Sequence, residues 1–212
     1  MKKYLGEFFG TFGIVFIGTA ALIINQQTDG SLSIIGIAIA FGVAVAAMII
    51  AFADMSGGHF NPAVTIGFAI VKKFHFKDVI PYITCQVSGA LAASFILKLI
   101  FPDVLDYGTT NPSGTQLQSF IAEIILMYIL VISIMLFSKI FKAKLFLAAL
   151  GIGSVIFLEV IFGGPISGAS MNPARSIGPA VASMNFENLW IYISAPILGA
   201  AAAMLTWKVV VD

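Results

Sequence analysis

Two segments of this 212-residue chain contain the tripeptide Asn-Pro-Ala, and each tripeptide follows a stretch that begins Ser-Gly. Asparagine is a good helix N-cap and proline is favoured in the first helical turn, so each tripeptide predicts the start of a helix. The apolar runs that follow end by residues 70 and 183, and Arg175, the only arginine in the chain, follows the second tripeptide. The motif residues are Asn61, Pro62, Ala63, Asn172, Pro173 and Ala174.

These groups favour binding and orienting a polar molecule over covalent chemistry, because no set of nucleophile, base and orienting group accompanies them. We therefore do not expect an enzyme. A single cysteine, Cys85, excludes a disulfide framework, and the two histidines, His59 and His75, are too few and too far apart for a metal site. No cofactor and no bound metal are expected.

The composition indicates that the chain lies in lipid. Apolar residues make up 59% of it and charged residues 10%, and the mean hydropathy is +1.04. In a typical soluble domain about a quarter of the residues are charged, and such a domain cannot bury so much apolar surface in one core. The same figures, with a net charge of +1, exclude a disordered tail, a soluble enzyme and a nucleic-acid partner. The partners we expect are membrane lipid and small neutral molecules.

Six apolar segments are long enough to cross a bilayer as helices, which predicts an all-α, multi-pass membrane protein. The first segment is longer than the core of a signal peptide and has no cleavage site, so we interpret it as a span. The predicted spans are residues 4–24, 34–53, 79–100, 117–137, 145–162 and 189–210.

Residues 56–70 and 167–183 do not fit this scheme, because their apolar runs are too short to cross the membrane. We interpret each as a re-entrant half-helix that enters the membrane and stops. Glu7 and Glu123 precede the asparagines of their own halves by similar distances, which indicates an internal repeat. Three spans and a half-helix make an odd number of crossings, so the second copy must be inverted.

We therefore predict a single domain, residues 1–212, with repeats over about 1–100 and 117–212. The half-helices enter from opposite faces, and their N-termini meet near the midplane. Ten of the eleven basic residues are lysines, and nine of these fall on one side, which by the positive-inside rule places both termini in the cytoplasm. Lys98 is the exception, at the outer end of the third span. A plasma or bacterial inner membrane fits this arrangement.

Irregular backbone at membrane depth must line a watery cavity or be buried in protein. We expect small residues to keep the loop backbone extended, so that a row of carbonyls faces the lumen while the two asparagine amides meet at its centre. Glu7 and Glu123 are expected to brace the loops by accepting backbone hydrogens. The residues predicted to supply carbonyls are Gly57, Gly58, His59, Gly168, Ala169 and Ser170.

With both motifs and Arg175 in place, the chain resembles the aquaporin, or major intrinsic protein, family over nearly all of its length. Residues 164–176 are similar to the nodulin-26-like branch and its bacterial relatives. The resemblance implies six spans with two half-helices, a homotetramer with one pore in each monomer, and an outer constriction. By alignment with the family, this constriction consists of Phe41, Val160, Ala169 and Arg175.

The resemblance implies a passive channel for water and small uncharged solutes such as glycerol that excludes protons and ions. Val160 stands where strict water channels carry histidine, which widens the constriction, whereas Ser176 stands where glycerol facilitators carry aspartate. A strict water channel therefore stays an alternative. A secondary transporter with broken helices is another, although neither motif contains an acidic residue. Asp54 and Glu159 depart from the family pattern, and their roles stay open.

Overall fold

The computed structural model describes residues 1–142 and 144–211, and within these ranges the chain forms eight helices. The helices are α1 (Lys2–Gln27), α2 (Ser33–Ser56), α3 (Pro62–Ile70), α4 (Phe76–Ile100), α5 (Gln116–Ile140), α6 (Leu145–Ser167), α7 (Pro173–Ser183) and α8 (Leu189–Val210).

Six of these helices, α1, α2, α4, α5, α6 and α8, are long and apolar enough to cross a membrane, which confirms the predicted spans. The largest difference at a single helix end is in α6, which continues to Ser167 although the prediction ended at residue 162. Gly163, Gly164 and Pro165 lie in this extension. The helix includes them and stops at Gly168, whose φ of +83° is typical of a helix C-terminus.

The two short helices begin at the prolines that the sequence predicts. Asn61 caps α3 by accepting from the amide of Ala63 at 2.9 Å, and Asn172 caps α7 by accepting from Ala174 at 3.0 Å. At 1.5 Å per residue these helices are about 14 and 16 Å long, about half of the hydrocarbon thickness. Both are therefore half-helices that cannot span the membrane.

Glycines allow the long helices to pack backbone against backbone. Where α2 crosses α6, a Cβ atom on Gly42 would lie 2.6 Å from the carbonyl oxygen of Gly153, and one on Gly153 would lie 2.5 Å from that of Gly42. Gly89 packs in the same way against Phe8 of α1. Small residues at such crossings let membrane helices approach closely, because lipid itself provides little drive for association.

The surface and the interior reverse the pattern of a soluble protein. Large apolar side chains face outward, and among them Ile80, Leu99 and Phe162 are 70% or more exposed. Glu7 and Glu123 are fully buried in the interior. An apolar exterior around a partly polar centre is the arrangement of an integral membrane protein, and it confirms the predicted all-α membrane fold.

Lys98 lies in the last turn of α4, and its side chain is exposed. Its Nζ donates a hydrogen bond to the carbonyl oxygen of Ala182 at 2.7 Å and lies 5.6 Å from the ring centroid of Tyr107. A cation at the C-terminus of α7 complements the negative end of that helix. Lys98 thus ties α4 to the second half-helix.

Candidate functional site

Asn61 and Asn172 lie tip to tip and hold each other's loops. The Nδ2 of Asn61 donates to the carbonyl of Met171 at 2.7 Å, and the Nδ2 of Asn172 donates to the carbonyl of Phe60 at 2.9 Å. Each amide oxygen is already used to cap its own helix. An amide nitrogen carries two hydrogens, so each asparagine keeps one N–H group free for a further partner.

Glu7 of α1 holds the first loop. Its two oxygens accept from the backbone amides of His59 at 3.0 Å and Phe60 at 2.7 Å. The Nε2 of Gln86, on α4, donates to the same carboxylate at 2.7 Å. A buried carboxylate with three donors fixes the backbone just before Asn61.

Glu123 of α5 does the same for the second loop. It accepts from the amides of Ser170 at 2.9 Å and Met171 at 2.7 Å, and from the hydroxyl of Ser167 at 2.7 Å. Both predicted bracing residues therefore contact the backbone directly before their own asparagine.

Two tyrosines complete the support of the loops. The hydroxyl of Tyr82 donates to the carbonyl of Ser56 at 2.8 Å, and that of Tyr192 donates to the carbonyl of Ser167 at 2.7 Å. Both rings are almost fully buried. The sequence analysis missed them, because a tyrosine in an apolar span gives no signal of its own. α4 and α8 are the last spans of the two halves, and only the matching positions of the tyrosines on these helices could have revealed them.

The prediction that small residues keep the loop backbone extended is wrong. Gly57, Gly58 and Gly168 have φ values of +87°, +68° and +83°, and Ala169 has +44°. The chain must reverse sharply after α2 and α6 end, and the left-handed region provides that reversal. Positive φ is strained for alanine. The hydrogen bonds that the next two amides donate to Glu123 help to keep Ala169 in this conformation.

The six carbonyls predicted to face the lumen nevertheless share a property. No donor among the described residues contacts the carbonyl oxygens of Gly57, Gly58, His59, Gly168, Ala169 and Ser170. Backbone carbonyls without a protein donor are normally paired with water, so these groups are available to solvent or solute. Five of the six residues line the central cavity; Gly168, which ends α6, does not.

One cavity of about 160 Å³ runs past both asparagines. Its helical walls consist of residues spaced mostly four apart, so each helix contributes a single stripe. On α6 the stripe runs from Leu145 to Val160, which at 1.5 Å per residue extends the cavity over about 22 Å. The other lining residues of this stripe and of the α2 stripe are Ala148, Ile152, Ile156, Phe41, Val45, Ile49 and Ala53.

The four residues aligned to the outer constriction all line this cavity. The Cζ of Arg175 lies 5.3 Å from the ring centroid of Phe41. Its Nη1 donates to the carbonyl of Gly108 at 2.7 Å, and its Nε has no protein partner among the described residues. The guanidinium is therefore anchored at one end and has donors free for a molecule in the cavity. Val160 and Ala169 provide apolar wall in the same cavity.

Gly108 is a site residue that sequence reasoning missed. It belongs to the loop between α4 and α5, and its contribution is a backbone oxygen, which carries no sequence signal.

The two departures from the family pattern differ in environment: Asp54 is exposed, whereas Glu159 is 5% exposed and neither of its oxygens has a partner among the described residues.

Comparisons with known proteins agree with this geometry. The profile described as "Major intrinsic protein" matches residues 1–207. Aquaporin NIP6-1 of Arabidopsis thaliana is 39% identical over 99% of this chain and 68% of its own length, and Nodulin-26 of Glycine max is 39% identical over 99% and 78%. The X-ray structure of the aquaglyceroporin from Plasmodium falciparum superposes with a TM-score of 0.92 at 25% identity and covers 99% of this chain and 96% of its own.

The fold, the paired half-helices and these matches define a membrane channel architecture. The chain belongs to the major intrinsic protein family, which confirms the resemblance drawn from the two motifs and the similarity to the nodulin-26-like branch.

Proposed function

We propose that this protein is a passive transmembrane channel for water and small uncharged solutes such as glycerol. The observation that carries the proposal is the single cavity that passes both Asn61 and Asn172, each with one amide hydrogen free. Solutes are proposed to pass unchanged, because the groups along the path act as fixed donors and acceptors and were not predicted to form a set of nucleophile, base and orienting group. Relatives named aquaporin and aquaglyceroporin support the same class.

Water moves along the path by exchanging its hydrogen-bond partners for fixed groups. The unpaired loop carbonyls accept its hydrogens, while the apolar stripes of α2 and α6 keep it on one side of the cavity. At the centre the water oxygen accepts from both asparagines. Its own hydrogens then point away from the centre toward the carbonyls on either side.

That orientation explains the proposed exclusion of protons. A proton can hop only along a chain in which each water donates to the next, and the central water breaks this chain. The N-termini of α3 and α7 both point at the centre, each equivalent to about half a positive charge. Together with Arg175 they raise an electrostatic barrier to cations.

Solute size is proposed to be limited by Phe41, Val160, Ala169 and Arg175. A valine in place of an imidazole leaves more width and an apolar wall, which suits the carbon backbone of glycerol, while Arg175 offers donors to its hydroxyls. The alternative within the class is a strict water channel, favoured by Ser176 next to the arginine.

A secondary transporter with broken helices is less well supported. Such proteins move one repeat against the other around a fixed site. Here Asn61 donates a hydrogen bond to the carbonyl of Met171, and Asn172 donates one to the carbonyl of Phe60. These two bonds link the loops. Relative movement of the halves would break both bonds.

The remaining features follow from family and sequence. We propose two inverted repeats, about 1–100 and 117–212; residues 143 and 212 of the second repeat lie outside the described ranges. Glu7 and Glu123 brace the loops of their own repeat. The lysine bias supports cytoplasmic termini in a plasma or inner membrane, and the family supports a homotetramer with a pore in each monomer.

A solute panel on one preparation of proteoliposomes tests the proposal. Water, glycerol, urea and arsenite fluxes are measured by stopped-flow light scattering, with protein-free vesicles of the same lipid as control. We expect water and glycerol fluxes well above the control. Glycerol flux equal to the control, with rapid water flux, would favour the strict water channel, and flux that requires a sodium or proton gradient would favour the transporter.

A further inference from the structure

A chain of three buried hydroxyls connects the loop between α4 and α5 to the second motif. The Oγ1 of Thr110 lies 2.8 Å from the Oγ of Ser176, and the latter lies 2.6 Å from the Oγ of Ser170. Ser170 Oγ donates to the carbonyl of Asn172 at 3.0 Å. All three hydroxyl residues are 5% exposed or less.

The chain has a fixed direction. A serine or threonine hydroxyl carries one hydrogen and two acceptor sites. Ser170 uses its hydrogen on the Asn172 carbonyl, so it must accept from Ser176; Ser176 in turn must accept from Thr110. The order is therefore Thr110 to Ser176 to Ser170 to Asn172, and bonds aligned in this way strengthen one another.

The first half has a matching arrangement built from other residues. Thr65, four residues after Asn61 as Ser176 is after Asn172, donates to the carbonyl of Asn61 at 3.1 Å. It lies 3.0 Å from the Nδ1 of His59 and accepts from Nε2 of Gln86 at 2.9 Å. The hydroxyl four residues after each asparagine thus has at least one partner in its own loop and one partner outside it.

The outside partner differs between the halves for a reason visible in the sequence. Gln86 follows Tyr82 by four residues on α4, and the corresponding position after Tyr192 on α8 is Pro196, whose side chain cannot hydrogen bond. Thr110 supplies that contact from the loop instead. Only the second half therefore depends on the loop between α4 and α5.

The same loop also holds the arginine. Gly108, two residues before Thr110, accepts from Nη1 of Arg175, which is adjacent to Ser176. The segment 108–110 thus contacts two successive residues in the first turn of α7. Gly108 accepts from the charged guanidinium of Arg175, and the Thr110 hydroxyl bonds that of Ser176.

We propose that Thr110 is a positioning residue for the solute constriction, acting through Ser176 and the 108–110 segment to set the place of Arg175; this inference rests on the proposed channel function. Loss of its hydroxyl removes one of the two contacts between the segment and the first turn of α7. The guanidinium is then held less firmly, and discrimination between water and glycerol changes.

The test compares Thr110→Val, which keeps the shape and removes the hydroxyl, with Thr110→Ser, which keeps the hydroxyl. Thr109→Val is the matched control, because Thr109 bonds the Ser183 hydroxyl at the other end of α7, at 3.2 Å. Water and glycerol permeabilities are measured in the same vesicles. We expect the glycerol-to-water ratio to rise at least twofold in Thr110→Val, and to stay at the wild-type value in Thr110→Ser and Thr109→Val.

A double-mutant cycle separates positioning from general weakening. Thr110→Val and Ser176→Ala are combined, and we expect the double variant to change the ratio no more than the larger single effect, because both break one chain. An unchanged ratio in a conducting Thr110→Val variant, even with a lowered melting temperature, overturns the inference, as does an equal shift in Thr109→Val. A wild-type protein without flux would overturn the proposed function itself, and the positioning role with it.

Discussion

Asn61 and Asn172 each donate a hydrogen bond to the carbonyl of the residue that precedes the other. The exchange links the two loops and leaves one amide hydrogen on each side chain for the cavity. Everything proposed for conduction depends on this pair, because it places two fixed donors in the wall of one cavity.

The pair yields a direct prediction for water flux. Asn172→Asp keeps the acceptor that caps α7 but replaces the donor to Phe60 by an oxygen and adds a negative charge between two helix N-termini. We expect water flux to fall by tenfold or more, because two carbonyl-type oxygens then repel each other at the centre. Stopped-flow measurement with matched amounts of reconstituted protein checks this, and unchanged flux would show that the Phe60 bond does not hold the loop.

We predict that replacing the buried carboxylates of Glu123 and Glu159 by amides changes the free energy of unfolding in opposite directions. Glu123→Gln removes charge from a group with three donors and should destabilise by about 3 kcal/mol, because an amide cannot accept from all of them. Glu159→Gln should stabilise by about 1 kcal/mol, since it removes a buried carboxylate that has no partner among the described residues. Melting temperatures in one detergent provide the comparison; a lower value for Glu159→Gln would mean that this carboxylate has a stabilising partner.

The contrast between these glutamates also shows what could be predicted from sequence. Glu7 and Glu123 stand out as carboxylates inside apolar spans, and their matching distances from the motifs were enough to assign them to the loops. Glu159 has the same signal, yet its neighbours come from packing between helices and cannot be found by spacing. Gln86 was missed although an amide inside an apolar span is also a signal.

Local rules account for the rest of the agreement and for the failures. Capping preferences located the first turns of α3 and α7, because an N-cap depends on a few adjacent residues. The left-handed backbone at Ala169 was not predictable, since alanine rarely adopts it and only the bonds around it impose it. The contribution of Gly108 is a backbone oxygen, so the side-chain type at this position does not reveal the contact with Arg175.

Helix crossing at Gly42 is predicted to tolerate no side chain. Gly42→Ala would place a methyl group against the carbonyl of Gly153, so α2 and α6 must separate at a cost of about 2 kcal/mol. Gly30→Ala is a poor control because Gly30 has positive φ. Gly36→Ala is a better one, because a Cβ atom on Gly36 would lie 3.1 Å from the Cβ of Leu32 and would meet no backbone of another helix. A melting temperature of Gly42→Ala equal to that of Gly36→Ala would contradict the tight crossing.

Val160→His tests the constriction. An imidazole at this position narrows the cavity beside Arg175 and adds a donor, so glycerol flux should fall at least fivefold more than water flux. Ile152→His, two helical turns along the same stripe, is the control for a histidine elsewhere in the cavity. Equal losses of both solutes in Val160→His would mean that position 160 does not limit solute size.

Mercurial reagents offer an independent map of the cavity. Cys85 lies on α4, is partly buried and does not line the cavity, so water flux through the wild-type protein should resist an organomercurial. Ile156→Cys, on the cavity wall, should make the flux sensitive, with recovery on adding excess thiol. Inhibition of the wild type that disappears in Cys85→Ser would place Cys85 closer to the path than the structure does.

The temperature dependence of osmotic water flux tests the central claim most directly. Proteoliposomes and protein-free vesicles are shrunk by an impermeant osmolyte at several temperatures, with no ion gradient present. A continuous file of water past Asn61 and Asn172 predicts rapid flux with a low activation energy, close to that of water diffusing in bulk. Flux with the high activation energy of the lipid control, or flux that appears only with an ion gradient, would contradict the account.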